Sequence, residues 1–127
     1  MVKINKLITN NPVAKKRLGD RYHVEYHDVS YMDILTLARD YIHRGHKLLT
    51  HPLSGSVKPK ETPYKSIVIS SAAADLDVQS LSIIEEGIAC TRRFVDRDIP
   101  ESALADFMEI DCSLIASASG SNLAIVV

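Results

Sequence analysis

The segment KLITNNP, residues 6–12, decides the fold class. Leu7 and Ile8 are a short apolar run next to a β-branched threonine, which is typical of a buried strand. The pair Asn11-Pro12 then favours a helix start. An Asn side chain accepts a hydrogen bond from the first turn, and a proline at the first helical position lacks only an N–H that would stay unpaired. The segment therefore predicts a strand that leads directly into a short helix.

Strands and helices are predicted to alternate along the rest of the chain. Further strands are predicted at 22–26, 46–50 and 66–70, and helices at 12–18, 30–44, 77–93 and 100–118. The last helix is predicted as one helix or as two with a bend, and residues 122–127 as an edge strand or a docked arm. The expected fold is α/β: a small Rossmann-like three-layer sandwich of about four mainly parallel strands, with helices on both faces. The strand from Ser66 has no helix before it, so its direction stays open.

The bulk composition indicates one globular domain over residues 1–127, because domains cluster near this length. Fifteen basic and sixteen acidic residues nearly cancel, so the chain carries no global field for nucleic acid. No apolar run approaches the roughly 20 residues that span a bilayer, so we expect no membrane partner and a cytoplasmic location. Cys90 and Cys112 lie in predicted helices and are expected to be reduced. Neither has a metal-ligand spacing, and we expect no metal and no cofactor.

A long polar segment, THPLSGSVKPKETPYKS at residues 50–66, is the strongest candidate for function. Loops of this length inside a compact domain are uncommon and often functional. Ser54, Gly55 and Ser56 offer hydroxyls and close backbone N–H groups, and Lys58 and Lys65 add positive charge. Together they suit a carboxylate or a phosphate. The alternatives are a plain turn for the Ser-Gly-Ser run and solvated charge for the lysines.

Asn10 and Asn11 follow the first predicted strand, and His51 begins the polar segment. Ligands of open parallel sheets bind outside the carboxyl ends of the strands. We therefore expect these two loops to face each other, and Asn10, Asn11 and His51 to contact a ligand.

Two side chains of the polar segment are candidates for chemistry. His51 is the candidate catalytic residue, as a general acid or base; the alternative is a histidine bonded to the backbone. Tyr64, a candidate ligand-binding residue, would orient or protonate a bound group; the alternative is a tyrosine that only packs. Near the C-terminus, Asp106 and Asp111 are interpreted as an ordinary solvated helix face rather than as a carboxylate pair.

The run RGHKLLTHPLSGSVKP at 44–59, with TPYKS at 62–66, resembles the signature of the GrdX family. The run LITNNP at 7–12 resembles the first strand and turn of that family, and Asp106-Phe107 with Ile110-Asp111 also fit it. The resemblance implies an accessory protein associated with the glycine, sarcosine and betaine reductase system of anaerobic bacteria that ferment amino acids. It implies no catalytic subunit and assigns no catalytic residue.

The leading hypothesis is a non-catalytic accessory protein. It would bind a small anionic ligand, or an anionic group of a reductase-system protein, through the 50–66 segment. The rival hypotheses are a small enzyme, a transferase or hydrolase using His51, and a protein-interaction module that docks through the same segment. The oligomeric state stays open.

Overall fold

The computed structural model describes residues 4–53, 61–95 and 98–118. Its elements follow the order strand, helix, strand, helix, strand, helix, helix. They are β1 (Lys6–Thr9), α1 (Pro12–Arg17), β2 (His23–Tyr26), α2 (Tyr31–His43), β3 (Ser66–Ile69), α3 (Val78–Arg92) and α4 (Glu101–Ala118). The Ser-Gly-Ser run, Lys58 and the C-terminal segment 119–127 lie outside the described residues.

The three strands form one mixed sheet in the order β2-β1-β3. The central strand β1 is parallel to β2 and antiparallel to β3. Leu7 stands opposite both Val24 and Val68, while Ile8 stands opposite Ile67. Because successive side chains of a strand point to opposite faces, each face of the sheet receives its own apolar set.

Helices cover both faces of this sheet. Ile8, Ile67 and Ile69 pack against apolar side chains of α2 and α3. On the other face, Leu7 and Val68 pack against α1 and α4. The two cores are thus separated by the sheet.

The prediction of a Rossmann-like sandwich with about four mainly parallel strands is wrong. The predicted strand at 46–50 is not a continuous strand. Leu48 forms an isolated antiparallel bridge with Ile69, Thr50 is also a bridge residue, and the Leu49 N–H donates a hydrogen bond of 2.9 Å to the Val68 carbonyl. β3 pairs with β1 in the antiparallel direction. The described residues between the Leu48 bridge and β3 contain no helix. A parallel pair needs a long crossover, usually helical, so these two neighbouring segments pair in the antiparallel direction.

The helix boundaries agree with the sequence signals. Asn11, Ser30 and Asp77 each accept a hydrogen bond from an N–H in the first turn of the helix that follows. Gly45 ends α2 with φ of 104°, and a Cβ there would lie 1.9 Å from the Ala74 carbonyl oxygen. Only glycine fits this position without a shift of the backbone. Residues 101–118 form a single helix of 18 residues.

Both cysteines are free thiols; Cys112 is buried and Cys90 is half-buried. Among the described helices, none is long and apolar enough to cross a membrane.

Candidate functional site

The Asn10 side chain connects the turn after β1 to residues 63–65 of the polar segment through hydrogen bonds. Its amide nitrogen donates to the carbonyls of Val29 and Pro63, each at 2.9 Å, and its Oδ1 accepts from the Lys65 N–H at 2.8 Å. The Asn10 N–H also donates to the Lys65 carbonyl at 3.3 Å. The two loops therefore lie side by side. Both amide hydrogens of Asn10 are committed to backbone carbonyls, so this side chain has no donor left for a ligand.

Asn11 is fully buried and connects α1 to α4. Its amide nitrogen donates to the Met108 carbonyl at 2.9 Å and to Oδ2 of Asp111 at 3.0 Å, while its Oδ1 accepts from the Val13 N–H at 3.0 Å. This asparagine is a helix cap and a structural bridge. Its donors are fully used within the protein.

Asp111 is only 7% exposed, so its interpretation as part of a solvated helix face is wrong. Its Oδ2 accepts from the Ser66 hydroxyl at 2.5 Å, and Ser66 is 2.6 Å from the Thr9 hydroxyl. Since the one Ser66 hydrogen goes to the carboxylate, the Thr9 hydroxyl must donate to Ser66. Burial raises the pKa of the Asp111 carboxyl, although the bonds from Ser66 and Asn11 and the charge of Lys65 oppose that rise.

Lys65 is the most unusual group of the site, because its side chain is only 6% exposed. Its Nζ lies 5.7 Å from the centroid of the Tyr31 ring. Among the described residues, none accepts a hydrogen bond from Nζ or forms a direct ion pair with it. Burial lowers the pKa of the Lys65 amine to about 8, and the nearby charge of Asp111 offsets part of that effect.

A small hollow lies beside the Lys65 side chain; we refer to it as the Lys65 hollow. Its walls come from the 61–65 segment, the first residue of α2 and one side of α4: Tyr31, Thr62, Tyr64, Lys65, Phe107, Ile110, Asp111 and Leu114. Its cavity volume is about 20 Å³, enough for one water molecule. Phe107 also borders a wider and more open groove of about 330 Å³, next to Pro100 and Ala103.

Tyr31 brings a buried phenol to the Lys65 hollow and is 7% exposed. Burial raises the pKa of this phenol, and the charges of Asp111 and Cys90 add to the rise. The phenol therefore stays neutral and can act as a hydrogen-bond donor. Tyr64 lines the same hollow and is half-buried; burial raises its pKa as well.

His51 lies outside the lining of the Lys65 hollow. Its Nδ1 is 3.1 Å from the Leu53 N–H, which donates to it. Burial and the charge of Lys65 lower the pKa of His51, against a smaller opposing effect of Glu86. The neutral imidazole therefore carries its hydrogen on Nε2, and its Nδ1 is occupied by the backbone.

The site that the structure assembles differs in part from the predicted one. Asn10, Tyr64 and Lys65 do lie together, whereas Ser54, Gly55, Ser56 and Lys58 fall outside the described residues. Sequence reasoning missed Tyr31, Thr62 and the α4 wall. A signal for that wall was present: Asp111 interrupts the apolar stripe of α4, and a carboxylate inside such a stripe needs a buried partner.

Within the described ranges, no group of three His, Cys, Asp or Glu side chains is placed to hold a metal ion. The hydrogen-bonding side chains that line the Lys65 hollow carry one amine, two phenols, one aliphatic hydroxyl and one carboxyl group. This donor-rich set suits a small acceptor such as an anion or a carbonyl oxygen.

Comparison with known proteins gives one match. No curated protein and no solved structure is found to be similar to the chain. Residues 6–119 match the family model described as GrdX-like protein. These residues contain every described strand and helix and the complete Lys65 hollow. Since the match covers most of the sequence, the chain belongs to the GrdX-like protein family.

Proposed function

We propose that this protein is a non-catalytic accessory protein that binds a small anion in the Lys65 hollow. Membership in the GrdX-like family favours a link to glycine reductase-type systems, and so to the glycine, sarcosine and betaine reductases of amino-acid fermentation. The partner would be a protein of such a system, and the compartment would be the cytoplasm.

The observation that carries the proposal is the largely buried Lys65, which is 6% exposed and whose Nζ has no hydrogen-bond acceptor among the described residues. A buried ammonium group is costly unless it is paired with an opposite charge or fully hydrogen-bonded. Asp111 supplies only part of that compensation, because its Oδ2 is directed to Ser66 and Asn11. A bound anion would accept a hydrogen bond from Nζ and remove most of the cost.

The neutral phenol of Tyr31 and the hydroxyl of Thr62 are further donors on the walls of the hollow. An anion with two oxygens can therefore contact Nζ and one hydroxyl together. The cavity volume of about 20 Å³ holds about one water molecule, so an anion enters only if the walls of the hollow move apart. Formate needs the smallest such movement and acetate the next smallest, whereas betaine and acetyl phosphate are much larger.

Titration calorimetry tests the proposal, with formate, acetate, glycine, phosphate, betaine and acetyl phosphate as probes. We expect binding of the smallest carboxylates, loss of that binding in Lys65→Met, and unchanged binding in the control Lys16→Met. Lys16 is an exposed lysine on α1, so the control alters total charge equally without touching the hollow. Equal heats for wild type and Lys65→Met with every probe would contradict the proposal.

Catalysis by His51 receives less support from the geometry. The only unprotonated ring nitrogen of the neutral imidazole already accepts from the Leu53 N–H, so it is not free to take a proton from a substrate.

Docking of a partner protein remains compatible with the proposal, because a carboxylate on a partner side chain presents the same two oxygens as acetate.

A further inference from the structure

The first half of α4 places apolar side chains in an open groove rather than in the two described cores. The α4 side chains that pack beside the sheet are Cys112, Ile115 and Ala116, all in the second half of the helix. Ala103 and Phe107 lie four residues apart, and so on one face of the helix, and both line the groove of about 330 Å³ described above. Apolar groups on the wall of an open groove are available for contact with another molecule.

The rest of the groove combines apolar and acidic surface. Ile99 and Pro100 add apolar groups, and Glu61 and Asp98 are the lining residues that carry a charge. Among the described residues, neither carboxylate forms an ion pair. The wall formed by α4 adds no positive charge, because the 18 residues of this helix include no lysine or arginine. The groove therefore repels anions and attracts cationic groups.

We propose that this groove binds a segment of a partner protein in which an apolar side chain stands next to lysine or arginine. The apolar side chain would pack against Phe107 and Ala103, and the basic groups would pair with Glu61 and Asp98. In such an interface the buried apolar contacts supply most of the affinity, and the charges around them select the partner and speed its approach.

The shape of the groove favours a protein segment over a small molecule. Its volume of about 330 Å³ is close to the lower limit of roughly 300 Å³ for small-molecule sites, which normally enclose most of the ligand surface. This groove is open to solvent, so a small amine would keep much of its surface in water. A side chain of a partner gains further contacts from the segment on either side of it.

This inference goes beyond the proposed function, because it concerns another surface and a ligand of opposite charge. The groove and the Lys65 hollow share one lining residue, Phe107. Anion titration measures binding in the hollow and peptide binding measures occupation of the groove, so the two proposals fail in different experiments.

The first test is selection of peptides from a random library of twelve-residue sequences on the full chain, with counter-selection on the variant Ala103→Arg. Ala103 lines the groove and is half-buried, so an arginine there fills the groove and adds positive charge to it. We expect the recovered peptides to carry at least two lysine or arginine residues within four positions of a leucine, isoleucine, phenylalanine or methionine. Recovery of no peptide that distinguishes the two proteins, or of peptides without this pattern, overturns the proposal.

The second test removes charge from the groove without changing its shape. The double variant Glu61→Gln/Asp98→Asn removes both carboxylates of the groove, and the control Asp20→Asn/Asp75→Asn removes two exposed carboxylates elsewhere. Fluorescence anisotropy gives the affinity of each protein for the most enriched peptide. We expect the affinity to fall at least about threefold in the groove variant and to stay within about 1.5-fold of wild type in the control.

Equal affinities of the groove variant and the control for the peptide overturn the proposal. Displacement of the peptide by an equal concentration of butylammonium also overturns it, because the groove would then be a site for small amines. Added salt should weaken the binding of the peptide to wild type more than its binding to the groove variant, since salt screens the ion pairs that the variant lacks.

Discussion

The substitution Lys65→Met should make the folded protein more stable at neutral pH. Methionine keeps an apolar chain of similar length but removes the charge. Burial lowers the pKa of the Lys65 amine from 10.5 to about 8. At about 1.4 kcal/mol per unit, the charged amine costs the folded state up to about 3 kcal/mol relative to a neutral group. Asp111 loses its positive neighbour in the variant, so we expect a gain of about 1–2 kcal/mol.

The pH dependence gives this prediction its sign. The loss of stability caused by the buried charge of Lys65 is fully present below pH 8, where the amine is charged in both the folded and the unfolded chain. Between about pH 8 and 10.5 the folded chain releases the proton before the unfolded chain does, so the wild type gains stability relative to Lys65→Met. The advantage of the variant should therefore shrink as the pH rises through this window.

Urea denaturation of wild type, Lys65→Met and the exposed control Lys16→Met measures these differences at pH 7 and at pH 10.5. The control should stay within about 0.5 kcal/mol of wild type at both values. A Lys65→Met variant that is less stable than wild type at pH 7, by an amount independent of pH, would show that the amine is already well compensated. The Lys65 amine would then need no anion to balance its charge.

Three further predictions concern stability. Asp111→Ala leaves buried donors unpaired and should cost about 2–4 kcal/mol by urea denaturation, whereas Asp106→Ala on the exposed face of the same helix should cost little. Asn10→Ala removes three hydrogen bonds to backbone groups and should speed amide hydrogen exchange in the 61–65 segment; unchanged exchange would refute its bracing role. Gly45→Ala meets a carbonyl oxygen at 1.9 Å and should lower the melting temperature strongly, while Gly19→Ala, with its nearest contact at 3.6 Å, serves as the tolerated control.

Local signals predicted the local structure well. The caps at Asn11, Ser30 and Asp77 and the glycine at 45 act within one helical turn, so the residues that decide them are neighbours in the sequence. The four helices and the three strands were anticipated with end shifts of one or two residues.

Strand order was not predictable in the same way. The pairing of β1 with β3 joins residues about 60 positions apart, and apolar content alone does not give direction. The Leu48-Leu49 pair resembled a buried strand, yet it supplies only one bridge beside β3. Its burial arises from packing at the edge of the sheet rather than from a ladder.

The charged groups of the candidate site were missed for a related reason. Lys65 and Asp111 belong to the types that are normally exposed, and the partners that bury them come from distant parts of the chain. Ser66 is 45 positions away from Asp111, and Asn11 is 100 positions away. A single sequence gives the residue types but does not give these long-range contacts.

The Lys65 hollow lies between the 61–65 segment and α4, so a ligand bound in it would affect how these two parts of the chain pack. A ligand in the hollow would contact both the 61–65 segment, which leads into β3, and α4. Its binding would therefore stabilise the packing of α4 against that segment. Binding of the ligand and the position of α4 are coupled equilibria. Anything that moves α4 away from the 61–65 segment must therefore lower the affinity for the ligand, and a bound ligand must oppose that movement by the same free energy. The bidentate contact of Arg17 with Glu109, at 2.6 and 2.7 Å, joins the middle of α4 to the end of α1, so the same stretch of α4 that lines the hollow is also held by α1.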